Sequence, residues 1–539
     1  MSNPTTQRDS SFETRTKLKN SLAEILASST FRMAATSLIF TIIFRIWQLH
    51  YSFSLWDEGY LWYGIQRVAQ GEVPMRDFMA YDPARYYIYA ALAAMFGGHG
   101  LLDLRLGITL VQAIAVFAGL WVVVAATQRR NIIYWLLIVA TLSAWMQPYS
   151  KPLDFLLCAL LVAALSYLAQ RPNRTGHLLA GLCVGLAAVL GRDHGIYGVV
   201  ASVGVMLWHA IRPGEGIGLI KGFTIWALGV IIGFTPMLLM MALVPGFALT
   251  MWESIRLMFE YGSTNIARPV PWPWLINPME PLPETIRTIT TGLFFIAVIA
   301  FCVIAVAWVV AQRIRHRPTP PVLVGAAFMA VPYAHYAFSR ADTFHLVISM
   351  YPVMIACLVI LGTKPARICY PLVAILCAVS LWTLAPMQTA WQCERNRKCV
   401  NTEISGDVFT IDPQTAADIA LLHTLAAKYA LNGRPFVAVP FWPGAYAVLD
   451  RPSPLWEIYP LFPRSAAFEQ AEIARMKVAN PGFAVIVNAN LDGREDFRFQ
   501  NTHKLTYQYI VDHFDRVDDP AHPNYEIFKS RDNAHDPGT

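Results

Sequence analysis

The sequence predicts a polytopic α-helical membrane protein of about eleven spans, followed by a small C-terminal α/β domain. Three observations carry this expectation. Hydrophobic residues make up 55% of the 539-residue chain and charged residues 14%, where soluble domains carry about 25% charged residues. Long apolar runs recur between residues 31 and 387, most of them near the length a bilayer requires. Beyond about residue 388 no such run occurs, and strand-like and helix-like segments alternate instead.

Residues 1–30 are polar, with Arg8, Arg15, Lys17 and Lys19, and lack the short apolar region and cleavage site of a signal peptide. They read as a cytoplasmic segment in which Leu18 to Leu26 has the pattern of a surface-lying amphipathic helix. The predicted spans are 31–50, 103–126, 131–147, 153–170, 177–192, 195–211, 221–245, 288–311, 321–338, 343–361 and 368–387, together a membrane domain over 31–387. Tyr86 to Phe96 is apolar but too short to cross, so it reads as an interfacial helix within a first external loop, 51–102. A second large external loop, 246–287, holds amphipathic Trp252 to Tyr261 and P-V-P-W-P-W-L-I-N-P, a Trp-rich composition suited to headgroup level. In the tail, 388–539, helices are predicted at Thr415 to Ala430, Phe468 to Val478 and Tyr507 to Phe514, and strands at Pro435 to Pro440 and Phe483 to Val487.

Orientation follows from charge. With the N-terminus inside, the inner connections at 128–130, 171–174, 212–221, 313–317 and 364–367 each hold two or three Lys or Arg. The outer ones at 147–152, 192–195 and 339–342 each hold one. This is the positive-inside asymmetry, and an odd number of spans places the tail outside. Six of the eight cysteines lie in or beside apolar runs and read as packing residues. Cys393 and Cys399 bracket C-E-R-N-R-K-C, which is either a local disulfide in an oxidising compartment or two free thiols.

Given that topology, polar clusters converge on the outer face: Asp57 and Glu58 after the first span, Arg76, Asp77, Asp82 and Arg85 in the same loop, Asp103 and Arg105, Lys151 and Asp154, Arg192 to His194, and Arg340, Asp342 and His345. Ionisable groups near lipid need partners or a wet cavity, so their convergence marks a candidate site. For a pair such as Asp103 and Arg105, loop charges facing water are the better reading. No Walker A loop and no nucleic-acid-binding signature occurs, which removes nucleotide hydrolysis and nucleic-acid partners from consideration.

The patterns W-D-E-G-Y at 56–60, G-E-V-P-M-R-D-F at 71–78, Y-D-P-A-R-Y at 81–86 and L-R-L at 104–106 resemble the polyprenyl-phosphate-dependent glycosyltransferases of the GT-C superfamily. The resemblance is to the family-39 branch, with protein O-mannosyltransferases and aminoarabinose transferase-like proteins, and covers Trp47 to Leu110 in detail. Met75 stands where that pattern has an aromatic, and D-P-A-R-Y replaces K-P-P-L, so neither sugar nor acceptor is carried over.

The resemblance implies transfer of a sugar from a polyprenyl-phosphate lipid to a glycan, lipid or protein acceptor. A carboxylate near the acceptor would take or orient its proton; Asp57 is the first candidate and Glu58 the second. Cations would meet the phosphate, arginine best of all through its planar fork, and the candidates are Arg85, Arg192, Arg340 and His345. Arg76, Asp77, Tyr81 and Asp82 form the substrate loop. No D-x-D occurs in the external loops, and hard cations take about six oxygens, so a metal-independent mechanism is favoured over a divalent ion, and no other cofactor is expected. The expected location is a bacterial inner membrane. Two other readings compete: an O-antigen-type ligase or polymerase with a lipid-diphosphate donor, disfavoured because the acids sit in the first loop, and a lipid-linked sugar transporter or flippase, disfavoured because no repeat is visible. The aromatic segments F-W-P-G-A-Y at 441–446 and S-P-L-W-E-I-Y at 453–459 read either as carbohydrate-stacking surfaces or as core and docking residues.

Overall fold

The computed structural model describes residues 28–261, 265–396 and 398–531. The surface helix expected at Leu18 to Leu26 lies outside them. Helices occupy all eleven predicted spans: α1 (Ser29–Ile46), then, after the first loop, α4 (Leu101–Thr127), α5 (Ile132–Trp145), α6 (Pro152–Gln170), α7 (Arg174–Leu190), α8 (Arg192–Ala210) and α9 (Leu219–Leu243), and, after the second loop, α11 (Leu282–Ile314), α12 (Pro321–Ser339), α13 (Thr343–Gly362) and α14 (Ala366–Leu384). Eight of them are long and apolar enough to cross a membrane, α14 together with the short turn that carries it to Met387. The other three, α5, α7 and α8, are shorter or, in α8, interrupted by Arg192, Asp193, His194 and His209. The protein is a multi-pass membrane protein.

The first loop folds into α2 (Asp57–Ala69) and α3 (Pro83–Phe96), and the second into the amphipathic α10 (Phe247–Tyr261) followed by an extended Trp-rich stretch. Pro83 sits in the first turn of α3, where its missing N–H breaks no bond. The inner membrane core is packed from α4, α6, α12 and α13 around residues such as Val123, Phe155, Val347 and Tyr351. α7 and α9 meet through Gly181, Gly185, Gly229 and Gly233, where an added methyl would lie 2.0 to 2.4 Å from a facing backbone carbonyl. Small residues at this spacing let two helix backbones touch in lipid.

After the short α15 (Thr389–Asn396), the tail begins with an antiparallel hairpin, β1 (Val400–Ile404) and β2 (Asp407–Ile411). Ser405 and Gly406, both at positive φ, close it in the manner of a type I′ turn. Then come α16 (Pro413–Tyr429), β3 (Val437–Val439), α17 (Pro443–Val448), α18 (Ala466–Ala479), β4 (Phe483–Val487), α19 (Phe499–Thr502), α20 (Lys504–His513), β5 (Phe514–Val517) and β6 (Tyr525–Ser530). The main sheet has the order β3-β4-β6-β5, with β3 parallel to β4 and the remaining pairs antiparallel. Cys393 and Cys399 are disulfide-bonded at the start of this tail.

The tail is docked on the first loop. One apolar cluster runs without interruption from Leu55, Trp62, Tyr63, Phe78 and Tyr86 of the loop to Phe409, Trp442, Tyr446 and Phe483 of the tail. α17 lies against α2 so closely that a methyl on Gly59 would sit 2.4 Å from the Gly444 Cα. Backbone bonds stitch the seam: Gly444 N–H donates to Leu55 O, Met79 N–H to Trp456 O and Ser52 N–H to Thr410 O.

Candidate active site

The end of α1 and the turn at Tyr51 to Trp56 deliver Asp57 to the first position of α2, where the helix N-terminus favours a negative charge. Its carboxylate is exposed and makes no hydrogen bond or ion pair among the described residues. It lies within electrostatic reach of Tyr81, Lys151 and Tyr459. Lys151, half-buried at the start of α6, has no carboxylate at ion-pair distance among the described residues, and its ammonium lies 5.5 Å from the centre of the Tyr81 ring. Burial opposes its charge, but Tyr81, Tyr336, Asp57 and Asp154 outweigh that and raise its pKa above the usual lysine range. The site therefore brings an unpaired carboxylate, Asp57, within electrostatic reach of an unpaired ammonium, Lys151.

Aromatic rings wall this space. Tyr60 meets Tyr81 edge-on at 4.8 Å and Tyr459 at 5.8 Å; Trp56 meets Phe441 at 5.4 Å, and Phe441 meets Tyr459 at 6.1 Å. Tyr336 of α12 stacks on His345 at 5.1 Å. Burial, followed by the charges on Asp57 and Tyr81, pushes the Tyr459 phenol well above its usual value. It stays protonated and able to donate. Loop, membrane helices and tail each contribute a wall.

Several residues expected at this centre are placed otherwise. Glu58, next to Asp57 in sequence, turns to the opposite side and is buried. Both its oxygens are held by Arg105, Nε at 2.7 Å and an Nη at 2.8 Å, and Arg105 also donates to the carbonyls of Leu49, Tyr51 and Ser52 and to the Tyr149 hydroxyl. Glu58, the second candidate for the acceptor's proton, thus sits in a buried pair with Arg105 that fixes the chain leading into Asp57. Asp103, in turn, accepts the Gly100 N–H and caps α4.

The arginines expected to meet phosphate are already paired. Arg85 lies 2.5 Å from Asp154, which His194 also approaches at 3.3 Å. Arg192 pairs with Asp82 at 2.8 Å and donates to the Ser254 hydroxyl. Burial raises the Asp82 pKa, and Arg192 and Arg85 partly restore it. Arg340 is gripped twice, by Asp342 at 2.8 Å and by both oxygens of Asp492 at 2.6 and 3.1 Å, while Arg268 of the second loop binds Asp492 at 2.7 Å. His345 is held by Asp342 at 2.7 Å. Arg76 and Asp77 pair with each other, and Asp77 accepts the Val73 N–H, so they brace the loop bend. Tyr81 faces the site.

Of the tail's aromatic segments, Trp442 and Tyr446 are buried core residues and Trp456 donates to Met75 O across the seam; Phe441 and Tyr459 reach the site. Both lie in the segments that the sequence offered as either stacking surfaces or core, whereas sequence reasoning passed over Tyr336 and Asp492 and noted Lys151 only as a cation opening a span. The one available signal was that Lys151 is the sole cation of its connection. No group of three or more His, Cys, Asp or Glu side chains is arranged to hold a metal among the described residues.

No family model and no curated protein matches this sequence. Solved structures do. The crystal structure of ArnT from Cupriavidus metallidurans bound to undecaprenyl phosphate superposes with a TM-score of 0.54 at 12% identity, over 92% of this chain and 97% of that one. The chain has the ArnT fold. The same ArnT in the apo state gives 0.49 at 13% identity, over 91% and 97% of the two chains. Archaeal oligosaccharyltransferase AglB from Archaeoglobus fulgidus, in complex with an inhibitory peptide and a dolichol-phosphate, gives 0.44 at 9% identity, over 94% and 75%. The fold assignment rests on the first of these, which spans membrane helices and tail together, in line with the GT-C resemblance of the first-loop motifs.

Proposed function

We propose that this protein is a glycosyltransferase that takes a sugar from a polyprenyl-phosphate donor and joins it to an acceptor hydroxyl or amine on the extracytoplasmic face of a bacterial inner membrane. The observation that carries the reading is an unpaired Asp57 carboxylate within electrostatic reach of an unpaired Lys151 ammonium in a fold shared with a protein crystallised with undecaprenyl phosphate.

In this mechanism the Asp57 carboxylate orients the acceptor and receives its proton. The acceptor's lone pair forms the new bond to the anomeric carbon as the bond to the phosphate oxygen breaks. The phosphate departs with that electron pair, and Lys151 neutralises it, with hydrogen bonds from the Tyr81, Tyr336 and Tyr459 phenols. Arg85, Arg192, Arg340 and His345 shape the field through their carboxylate partners, and no metal takes part. Arg340 is the best placed of them to join the phosphate if Asp492 yields, since it lies close enough to influence Tyr459.

The test is reconstitution in liposomes with polyprenyl-phosphate sugars. Asp57→Asn should lose transfer yet keep donor binding, and Lys151→Gln should lose donor binding. Full transfer by Asp57→Asn would refute the role of that carboxylate. Unidirectional movement of the lipid-linked sugar across the bilayer without transfer would favour the transporter reading. A reporter active only outside the cytoplasm, fused after Thr539, should be active, and a silent one would overturn the orientation.

A further inference from the structure

At the opposite, basic end of the bundle, α7 and α9 form a groove of about 470 Å³ that the proposed reaction does not use. Arg174 and Lys221 stand at its head with the Thr175 and Thr224 hydroxyls beside them. Both cations are exposed, and among the described residues neither makes an ion pair. On the same face Arg212 and Arg313 are tied to Glu215. The two helices begin here, so their positive ends add to the same spot.

From the head the groove turns apolar. Leu178 lies one turn beyond Arg174, and Ile225 and Leu228 lie one and two turns beyond Lys221. The floor is held by the glycine contacts between α7 and α9. Phe223 and Leu179, both exposed, flank it, so it opens toward lipid. Two cations and two hydroxyls at the water boundary, with an apolar channel running into the span, match the shape and charge of an amphiphile with an anionic head. Basic pockets between helices at this level suit phospholipid headgroups. α7 has 17 residues, which puts this head about 25 Å from the Arg192 end of the bundle.

We propose that this groove binds an anionic glycerophospholipid of the leaflet at the basic end, its phosphate between Arg174 and Lys221 and one acyl chain along Leu178, Ile225 and Leu228. The assignment is independent of the glycosyltransferase reading.

The experiment is native mass spectrometry of the full-length protein released from nanodiscs of phosphatidylglycerol and phosphatidylcholine in equal amounts. Wild type should retain phosphatidylglycerol preferentially. Arg174→Gln with Lys221→Gln should weaken that preference about thirtyfold. Leu228→Trp, a change on a lipid-facing surface that leaves both cations in place, should also abolish retention by filling the channel. Arg315→Gln with Arg317→Gln removes the same charge from a neighbouring loop and should change nothing. Undiminished retention in the first variant, or in Leu228→Trp, overturns the site. An equal loss in the Arg315 and Arg317 variant reduces it to a general basic surface and overturns it too. So does displacement of phosphatidylglycerol by equimolar undecaprenyl phosphate, which would make the groove a donor site.

Discussion

Asp57 and Glu58 are neighbours in sequence, but Asp57 is exposed and unpaired while Glu58 is buried against Arg105, and exchanging each carboxylate for its amide separates the catalytic role proposed for the first from the structural role of the second. Glu58 and Arg105 are 2% and 1% exposed, with contacts of 2.7 and 2.8 Å. Removing one member of a buried pair costs about 3–5 kcal/mol, because the other charge is left uncompensated. Glu58→Gln keeps one acceptor for Arg105, so its loss should lie near about 3 kcal/mol, a hundredfold in the folding equilibrium. Arg105→Ala also strips three carbonyls and the Tyr149 hydroxyl of their donor and should reach the upper end. Asp57 is exposed and unpaired, so Asp57→Asn should stay within about 0.5 kcal/mol of wild type, while loss of a general base lowers the rate about 10²- to 10⁴-fold. The assay pairs the thermal unfolding midpoint of the purified protein with the transfer rate per folded molecule. Glu58→Gln should lose stability and keep its rate; Asp57→Asn should do the reverse. A Glu58→Gln protein with the wild-type midpoint and a hundredfold lower rate would return Glu58 to the chemistry and refute the reasoning.

Other expectations are equally direct. Gly59→Ala places a methyl 2.4 Å from Gly444; an overpacking penalty of about 1–3 kcal/mol should loosen the tail, read as faster proteolysis beyond residue 388 with the membrane helices still protected. Asp492→Asn removes the carboxylate partner of Arg268 and one of the two that hold Arg340, leaving Asp342, and should lower the donor KM without changing the unfolding midpoint of the membrane domain. In the tail, burial works to raise the Glu457 pKa, but His503 and Arg464 outweigh it and hold it below its ordinary 4.5. A depressed carboxylate pKa stabilises the fold fully above that ordinary value and loses this contribution as pH falls through the folded value. The stability gap between wild type and Glu457→Gln should therefore be widest near neutral pH and close progressively below about pH 4.5. Finally, transfer should survive EDTA; loss restored by a divalent ion would reverse the metal-independent mechanism.

The membrane helices were legible because an apolar run long enough to span is a local property; even the short α5 and α7 showed as runs of the right composition. In the tail, β4 at Phe483–Val487 and the helices α16, α18 and α20 lie where alternation and helical spacing placed them. The hairpin β1–β2 and strands β5 and β6 went unread, since V-N-T-E-I, F-D-R-V and Y-E-I-F-K-S mix polar residues into both faces. Asp57 stood out as an acid directly after a span. What sequence could not supply was pairing. Arg105 meets Glu58 across 47 residues, Arg85 meets Asp154 across 69, and Arg340 meets Asp492 across 152. A cation's availability depends on such a partner, so three arginines looked as open as Lys151 until the fold brought their carboxylates to them.

The seam between Gly59 and Gly444 has a consequence in time as well as in space. Tyr459 and Phe441 reach the site only when the tail rests on α2, and that tail follows all of the membrane helices in the chain. A molecule with every helix inserted already holds Asp57 and Lys151 but lacks one wall around them. On the proposed chemistry, competence waits for the tail to settle on the first loop, and helices inserted before it leave the Asp57 carboxylate unenclosed.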